Sequence, residues 1–160
     1  MNNICKVSAL FLDRDGVINF DKGYTHIFSK KIINLKTIKY LNKKTFKNYL
    51  LFIVTNQSGI GRGFYSTKSF HLFQNKMKNY LSTKNVFISD VEYCPHHPSE
   101  AKKKYKQNCK CRKPKTGMLE KLKNKWKIEK DQSFMIGDSY TDYLCAKKFK
   151  IKFKYIDEII

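Results

Sequence analysis

The chain alternates short runs of consecutive apolar residues with longer stretches in which apolar residues recur every three or four positions. The runs Val7 to Leu12, Tyr49 to Val54 and Ser133 to Ile136 have strand length and no internal alternation. That pattern suits strands buried on both faces, as in a parallel sheet. Between them, Leu35, Ile38, Leu41 and Phe46 fall at helical spacing, as do Phe70, Phe73, Met77 and Leu81, and Met118, Leu119, Leu122 and Trp126. Ser66 or Thr67 is placed to cap the second of these helices. Val91-Glu92-Tyr93 predicts a further strand, and a last helix leads into a short strand over Lys152 to Ile156. Strands alternating with helices predict an α/β fold with a mostly parallel sheet, and 160 residues predict one domain spanning 1–160.

The apolar runs end in chemistry. The first stops at Asp13 and Asp15, one residue apart, with Gly16 next. Residues i and i+2 of a strand point the same way, and the carboxyl ends of strands are where open α/β sheets bind ligands. The second run ends in Thr55-Asn56-Gln57-Ser58-Gly59-Ile60-Gly61, whose hydroxyl, amide and backbone N–H donors suit an anion cradle. A plain turn could use the same residues. The last ends in Gly137-Asp138, with Asp142 one helical turn further on.

A polar excursion opens at Cys94-Pro95-His96-His97-Pro98 and closes at Cys109-Lys110-Cys111. Two ligand pairs, each with one intervening residue, enclose a loop with almost nothing apolar to fold it. A tetrahedral Zn²⁺ on Cys94, His96, Cys109 and Cys111 accounts for the loop 94–111, with a disulfide or free thiols as the alternatives. His96 is preferred to His97 because Cys-x-His mirrors Cys-x-Cys. Four protein ligands leave no open position, so the metal is expected to be structural. Cys5 and Cys145 stand apart and read as small buried hydrophobes. Arg112 and Lys113 follow the last ligand directly, stiffened by Pro114, so two cations are expected beside a strand end.

Composition changes this picture little. The formal charge of +20 invites a nucleic-acid partner, but lysine is spread over nearly every segment, so none is expected. Among 33 lysines and arginines only Arg14, Arg62 and Arg112 are arginine, which suggests that forked donor geometry matters at those three positions. No apolar run approaches the roughly 20 residues of a membrane span. Val7 to Leu12 is also too short for a signal peptide and runs straight into carboxylates. A cytoplasmic protein with reduced thiols is therefore expected.

Asp13, Asp15 and Asp138, the cradle Thr55 to Ser58, and Arg112 with Lys113 together suit Mg²⁺ bound with a phosphate. At these residues the sequence resembles the haloacid dehalogenase superfamily of phosphatases. Leu12-Asp13-Arg14-Asp15-Gly16, Thr55-Asn56-Gln57-Ser58-Gly59, Arg112-Lys113-Pro114 and Gly137-Asp138 with Asp142 look like its four motifs. The cysteine block and Asp21-Lys22-Gly23-Tyr24 resemble more narrowly the D-glycero-D-manno-heptose 1,7-bisphosphate 7-phosphatase branch, and so do the twelve residues between His96 and Cys109. Histidinol-phosphate phosphatases share the motifs and a zinc loop.

The resemblance implies a three-layer, Rossmann-like fold with a zinc-loop insertion. It implies a hydrolase of phosphoric monoesters that frees the 7-phosphate of a sugar bisphosphate in ADP-heptose and lipopolysaccharide supply. Alternatives are a histidinol phosphate or a nucleic-acid 3′-phosphate substrate, or a zinc-stabilised basic binding module. By resemblance Asp13 is the nucleophile and Asp15 the acid and base, while Thr55 and Lys113 stabilise the phosphoryl group. Asp13, the backbone carbonyl of Asp15, and Asp138 hold Mg²⁺. Asp21, Lys22, Gly23, Tyr24, Asn56, Gln57, Ser58 and Arg112 bind substrate. Apart from the resemblance, a monomer is expected. An acid role requires Asp15 to keep a proton, expected from burial and carboxylate neighbours.

Overall fold

The computed structural model describes residues 7–160, so the reading of Cys5 lies outside the described residues. Five strands form one sheet: β1 (Val7–Leu12), β2 (Tyr49–Asn56), β3 (Ile88–Cys94), β4 (Ile128–Gly137) and β5 (Lys152–Tyr155). Their order is β3-β2-β1-β4-β5, and every pairing is parallel. Because alternate residues face opposite ways, β1 feeds two cores. Leu10 and Leu12 join Ile38 and Leu41 of α1 (Leu35–Leu41) and, past the short α2 (Ser58–Arg62), Phe73, Met77 and Leu81 of α3 (Thr67–Ser82). Ala9 and Phe11 join Met118, Leu119 and Leu122 of α4 (Gly117–Trp126) and Cys145, Ala146 and Phe149 of α5 (Tyr140–Phe149). The result is the expected three-layer α/β sandwich, with β1 at its centre and its carboxyl end at the switch in strand order where such sheets bind ligands.

Ser66 is the cap of α3, its hydroxyl accepting from Ser69 N–H at 3.0 Å. Val91-Glu92-Tyr93 belongs to a strand that starts earlier, at Ile88, with Phe87 outside it and 67% exposed. β4 begins at Ile128, five residues earlier than its apolar run. Ile128 and Glu129 pair with Val7 and Ser8, the register then shifts, and pairing resumes at Leu10 with Phe134. In the gap the Ser133 hydroxyl accepts from Ala9 N–H at 2.9 Å, replacing a ladder bond. Phe46 belongs to a 3₁₀ turn (Lys44–Phe46) after α1 and still packs into the first core. No helix among the described residues is long and apolar enough to cross a membrane.

Candidate active site

The tips of β1, β2 and β4 and the segment after Cys111 enclose one cavity of about 460 Å³. Asp13 stands just past β1, its backbone N–H continuing the ladder onto Ile136 C=O at 3.0 Å. Its carboxylate meets Lys113 Nζ at 2.9 Å, and the same ammonium meets Asp142 at 2.6 Å. Lys113 is held from behind by the Asn56 amide, which accepts from its N–H at 3.0 Å and donates to its C=O at 3.1 Å. Asp142 is fully buried at the start of α5 in a reciprocal cap: its carboxylate accepts from Ser139 N–H and Oγ at 3.2 and 2.7 Å. The cap of α5 is thus Ser139, which leaves the Asp138 side chain free at the cavity wall.

Asp13, Asp138 and Asp142 bring carboxylate oxygens within 4.8 Å of one another. Burial pushes Asp13 up to about 7, with Asp142 and Asp15 adding to the rise and Lys113 opposing it. Burial and Asp142 push Asp138 up to about 6. Crowded carboxylates whose charge is this costly form a hard oxygen donor set that a divalent cation would relieve. Gly16 permits the crowding: its φ is +82°, and a Cβ there would run into the Asp138 carboxylate.

Asp15 lines the same cavity in a different setting. Its carboxylate accepts from Arg14 Nε and Nη2 at 2.7–3.1 Å, from Asn19 Nδ2 at 2.9 Å and from Gln57 Nε2 at 2.8 Å. Arg14 is wholly buried, stacked 4.5 Å from the Phe73 ring centroid and donating to Thr25 C=O at 2.7 Å. Of the surroundings expected for Asp15, the carboxylate neighbour is present in Asp13, and a fork of donors joins it because Arg14 folds back from the neighbouring position.

Of the residues the sequence assigns to substrate, Asp21, Gly23, Tyr24, Asn56, Gln57 and Ser58 line this cavity together with Thr55. Lys22 and Arg112 do not. Arg112 lines an adjoining hollow of about 210 Å³ that shares Lys113, and its Nη1 donates to His96 C=O at 3.3 Å. Two of the six have inward duties: the Asn56 amide is spent on Lys113, and Gln57, 2% exposed, is spent on Asp15 and Thr55. The sequence did not single out Tyr65, whose hydroxyl donates to Gln57 Oε1 at 2.6 Å, or Asn19. Arg14 was legible as a retained arginine and Asp142 by its spacing from Asp138. Tyr65 carries no such signal.

Cys94, His96, Cys109 and Cys111 gather at one point, with Sγ–Sγ separations of 3.0–3.5 Å and His96 Nδ1 3.3 Å from Cys111 Sγ. The edges of a tetrahedron of soft ligands around one ion are roughly 3.3–3.8 Å, so these four could hold a metal. His97 stands outside this group, its Nδ1 accepting from Ser99 and Glu100 N–H at 3.3 and 3.1 Å. Cys145 is buried in the second core, as expected.

Residues 15–159 match the family model of the polynucleotide kinase 3 phosphatase. Over 144 residues the chain is 42% identical to the D-glycero-beta-D-manno-heptose-1,7-bisphosphate 7-phosphatase of Pasteurella multocida, covering 90% of this chain and 78% of that one. The chain belongs to the heptose-1,7-bisphosphate 7-phosphatase family. The family's architecture is evident in two crystal structures, each 26% identical to it. A protein of Mesorhizobium loti described as a HAD-like phosphatase superposes with a TM-score of 0.85, covering 91% of this chain and 70% of that one. The D,D-heptose 1,7-bisphosphate phosphatase of B. bronchiseptica, complexed with magnesium and phosphate, superposes at 0.75, covering 89% and 76%. The fold is therefore of the haloacid dehalogenase type, and this family member is a phosphoric monoester hydrolase by kinship.

Proposed function

We propose that this chain removes the 7-phosphate of D-glycero-D-manno-heptose 1,7-bisphosphate in a Mg²⁺-dependent reaction through an aspartyl-phosphate, supplying ADP-heptose for lipopolysaccharide. The observation that carries the reading is Asp13: a carboxylate at a strand tip, opening on a cavity and flanked by one buried cation and a cluster of acids. Asp13 Oδ attacks phosphorus. The P–O bond to the sugar breaks, its electron pair goes to the C7 oxygen, and Asp15 protonates that oxygen. Asp15 then takes a proton from water, whose oxygen attacks phosphorus and breaks the Asp13 O–P bond. Inorganic phosphate leaves with both carboxyl groups restored.

Lys113 and the Thr55 hydroxyl stabilise charge on the transferring group. Asp13, Asp138 and the Asp15 backbone carbonyl would hold Mg²⁺, which offsets the phosphoryl charge when bound. Asp21, Gly23, Tyr24 and Ser58 form the sugar-facing wall, and Arg112 recognises substrate from the adjoining hollow. Zn²⁺ on Cys94, His96, Cys109 and Cys111 fixes the loop that carries Arg112 and Lys113, a structural role. The protein works as a cytoplasmic monomer of one domain, 1–160, on a small sugar bisphosphate.

A second reading, removal of a nucleic-acid 3′-phosphate, draws on the matched polynucleotide kinase 3 phosphatase model and the charge of +20. A panel of heptose bisphosphate, histidinol phosphate and a 3′-phosphorylated oligonucleotide, assayed with Mg²⁺, separates the readings. Preference for heptose bisphosphate, lost in Asp13→Asn, is expected. Preference for the oligonucleotide, with a rate falling steeply as salt rises, would favour the second reading instead.

A further inference from the structure

The cavity rests on a buried chain of hydrogen bonds that begins outside its motifs. Tyr65 Oη and Gln57 Oε1 are 2.6 Å apart, and Gln57 Nε2 lies 2.8 Å from both Asp15 Oδ2 and Thr55 Oγ1. Gln57 cannot rotate as a body, because its N–H donates to Cys94 C=O at 2.7 Å and its C=O accepts from Ile60 N–H at 3.1 Å. Its amide could still flip by half a turn. A flip would set Oε1 against Asp15, acceptor to acceptor when the carboxyl is ionised and capturing its proton when it is not, and only the tyrosine hydroxyl distinguishes the two ends chemically from the other side.

Tyr65 is built to stay in place and to stay a donor. It is 8% exposed, and its ring is sandwiched by His26, whose ring stacks at 4.8 Å and 11°. His26 is itself tied by Nδ1–H to Tyr24 C=O at 2.9 Å. Gly59 lets the ring approach, since a Cβ there would strike Tyr65. Burial pushes the Tyr65 hydroxyl up to about 12, so it remains protonated in the working range.

We infer that Tyr65 is a positioning residue that, through Gln57, aims both Asp15 and the Thr55 hydroxyl at the phosphoryl group. With Oε1 occupied by Tyr65, both N–H bonds of the amide are free for the cavity side. One anchors Asp15 Oδ2. The other fills the acceptor side of Thr55 Oγ1, so the Thr55 proton must point elsewhere, and the cavity is where an acceptor would stand. One hydroxyl outside the motifs thus sets the orientation of two groups inside them. The inference rests on the phosphatase reading above and deepens it by naming what orients its acid.

Tyr65→Phe removes one oxygen and keeps the ring. An alkyl ester such as heptose bisphosphate needs its leaving oxygen protonated, whereas 4-nitrophenyl phosphate does not. Loss of aim at Asp15 should therefore fall on the first substrate. In Tyr65→Phe, kcat/KM for heptose bisphosphate should drop about tenfold, the equivalent of one lost hydrogen bond, and for 4-nitrophenyl phosphate roughly threefold or less. Gln57→Met cuts the same link from the other end, so the same asymmetry should follow even if one variant folds poorly. Equal losses on the two esters, or no loss on either, would overturn the inference while leaving the phosphatase reading intact. Absence of Mg²⁺-dependent turnover of both esters by the unsubstituted protein would overturn the phosphatase reading and the inference with it.

Discussion

Lys113→Met tests the charge balance on which the site depends. Methionine keeps most of the buried stem and removes the ammonium that Asp13 and Asp142 share at 2.9 and 2.6 Å. All three side chains are within 13% of full burial, so water can do little to replace it. Breaking a buried pair from one side costs about 3–5 kcal/mol, because the orphaned charge stays behind. For a chain of this size each kcal/mol moves Tm by roughly 2–4 °C, so the variant should melt about 6–20 °C lower.

The pH dependence of that deficit is the sharper test. Asp13 already sits near 7 because of burial, and Lys113 is the strongest influence pulling it down; without the ammonium it rises further. A carboxyl raised in the folded state is harmless at low pH, where it is neutral folded and unfolded, and loses stability as pH rises through its folded value. At pH 5.5 Asp13 contributes little to the deficit, since both proteins then hold its proton. Above about 7 the variant continues to lose stability after the unsubstituted protein has finished. Calorimetric melts in metal-free buffer at pH 5.5 and 8.5 should show the larger gap at 8.5. Equal gaps, or a larger one at 5.5, would refute the argument that the ammonium holds the Asp13 charge in place. Turnover should fall about 10²–10³-fold, the usual scale for losing one preorganised charge-stabilising donor.

The other expectations are more compact. Asp13 and Asp138 are raised from 3.8 to about 7 and about 6, so the metal-free protein should lose stability as pH climbs through that interval. Mg²⁺ should restore it, and the Mg²⁺-induced rise in Tm should be larger at pH 7.5 than at 5.5; the reverse order would exclude a carboxylate site. Gly16→Ala places a side chain at φ +82° and against Asp138. It should cost about 1–3 kcal/mol in chemical denaturation and weaken Mg²⁺ binding measured by calorimetry. Purified protein should carry one zinc per chain by elemental analysis. Stripping it, or Cys109→Ser, should expose the lysines between residues 102 and 110 to trypsin well before the rest of the chain is cut.

What the sequence reveals and what it hides follow from one physical distinction. Strand tips were legible because an apolar run that ends in acids or small donors has few explanations, and β1, β2 and β4 all end that way. The start of β4 was hidden because Glu129 to Gln132 pair, bulge and rejoin through side-chain substitutes such as Ser133, a geometry no hydrophobic period records. β3 begins at Ile88, three residues before Val91, and Phe87 beside it is exposed, since a short apolar stretch does not say which neighbour covers it. Asn56 and Gln57 sit where a ligand-facing residue would sit. Their amides turn inward because Lys113 and Thr55 are buried and Asp15 is half-buried, and such polar groups must find partners.

The three arginines carry that lesson furthest. In a chain where lysine serves nearly everywhere, Arg14 does what an ammonium cannot. It grips Asp15 through two nitrogens, reaches Thr25 C=O with the same fork, and lays a flat cation on Phe73 inside an apolar wall. Arg62 pairs with Glu100 while facing the Tyr24 ring, and Arg112 braces the backbone of His96 next to the soft-ligand quartet. Each therefore ties a loop around the cavity to a neighbouring element; toward the acid cluster Arg14 offers its backbone N–H, which donates to Asp13 Oδ1 at 2.8 Å. Lysine, a point charge, stands at nearly every other cationic position. What remains marks the places where direction matters, and in this fold those places ring the pocket from behind.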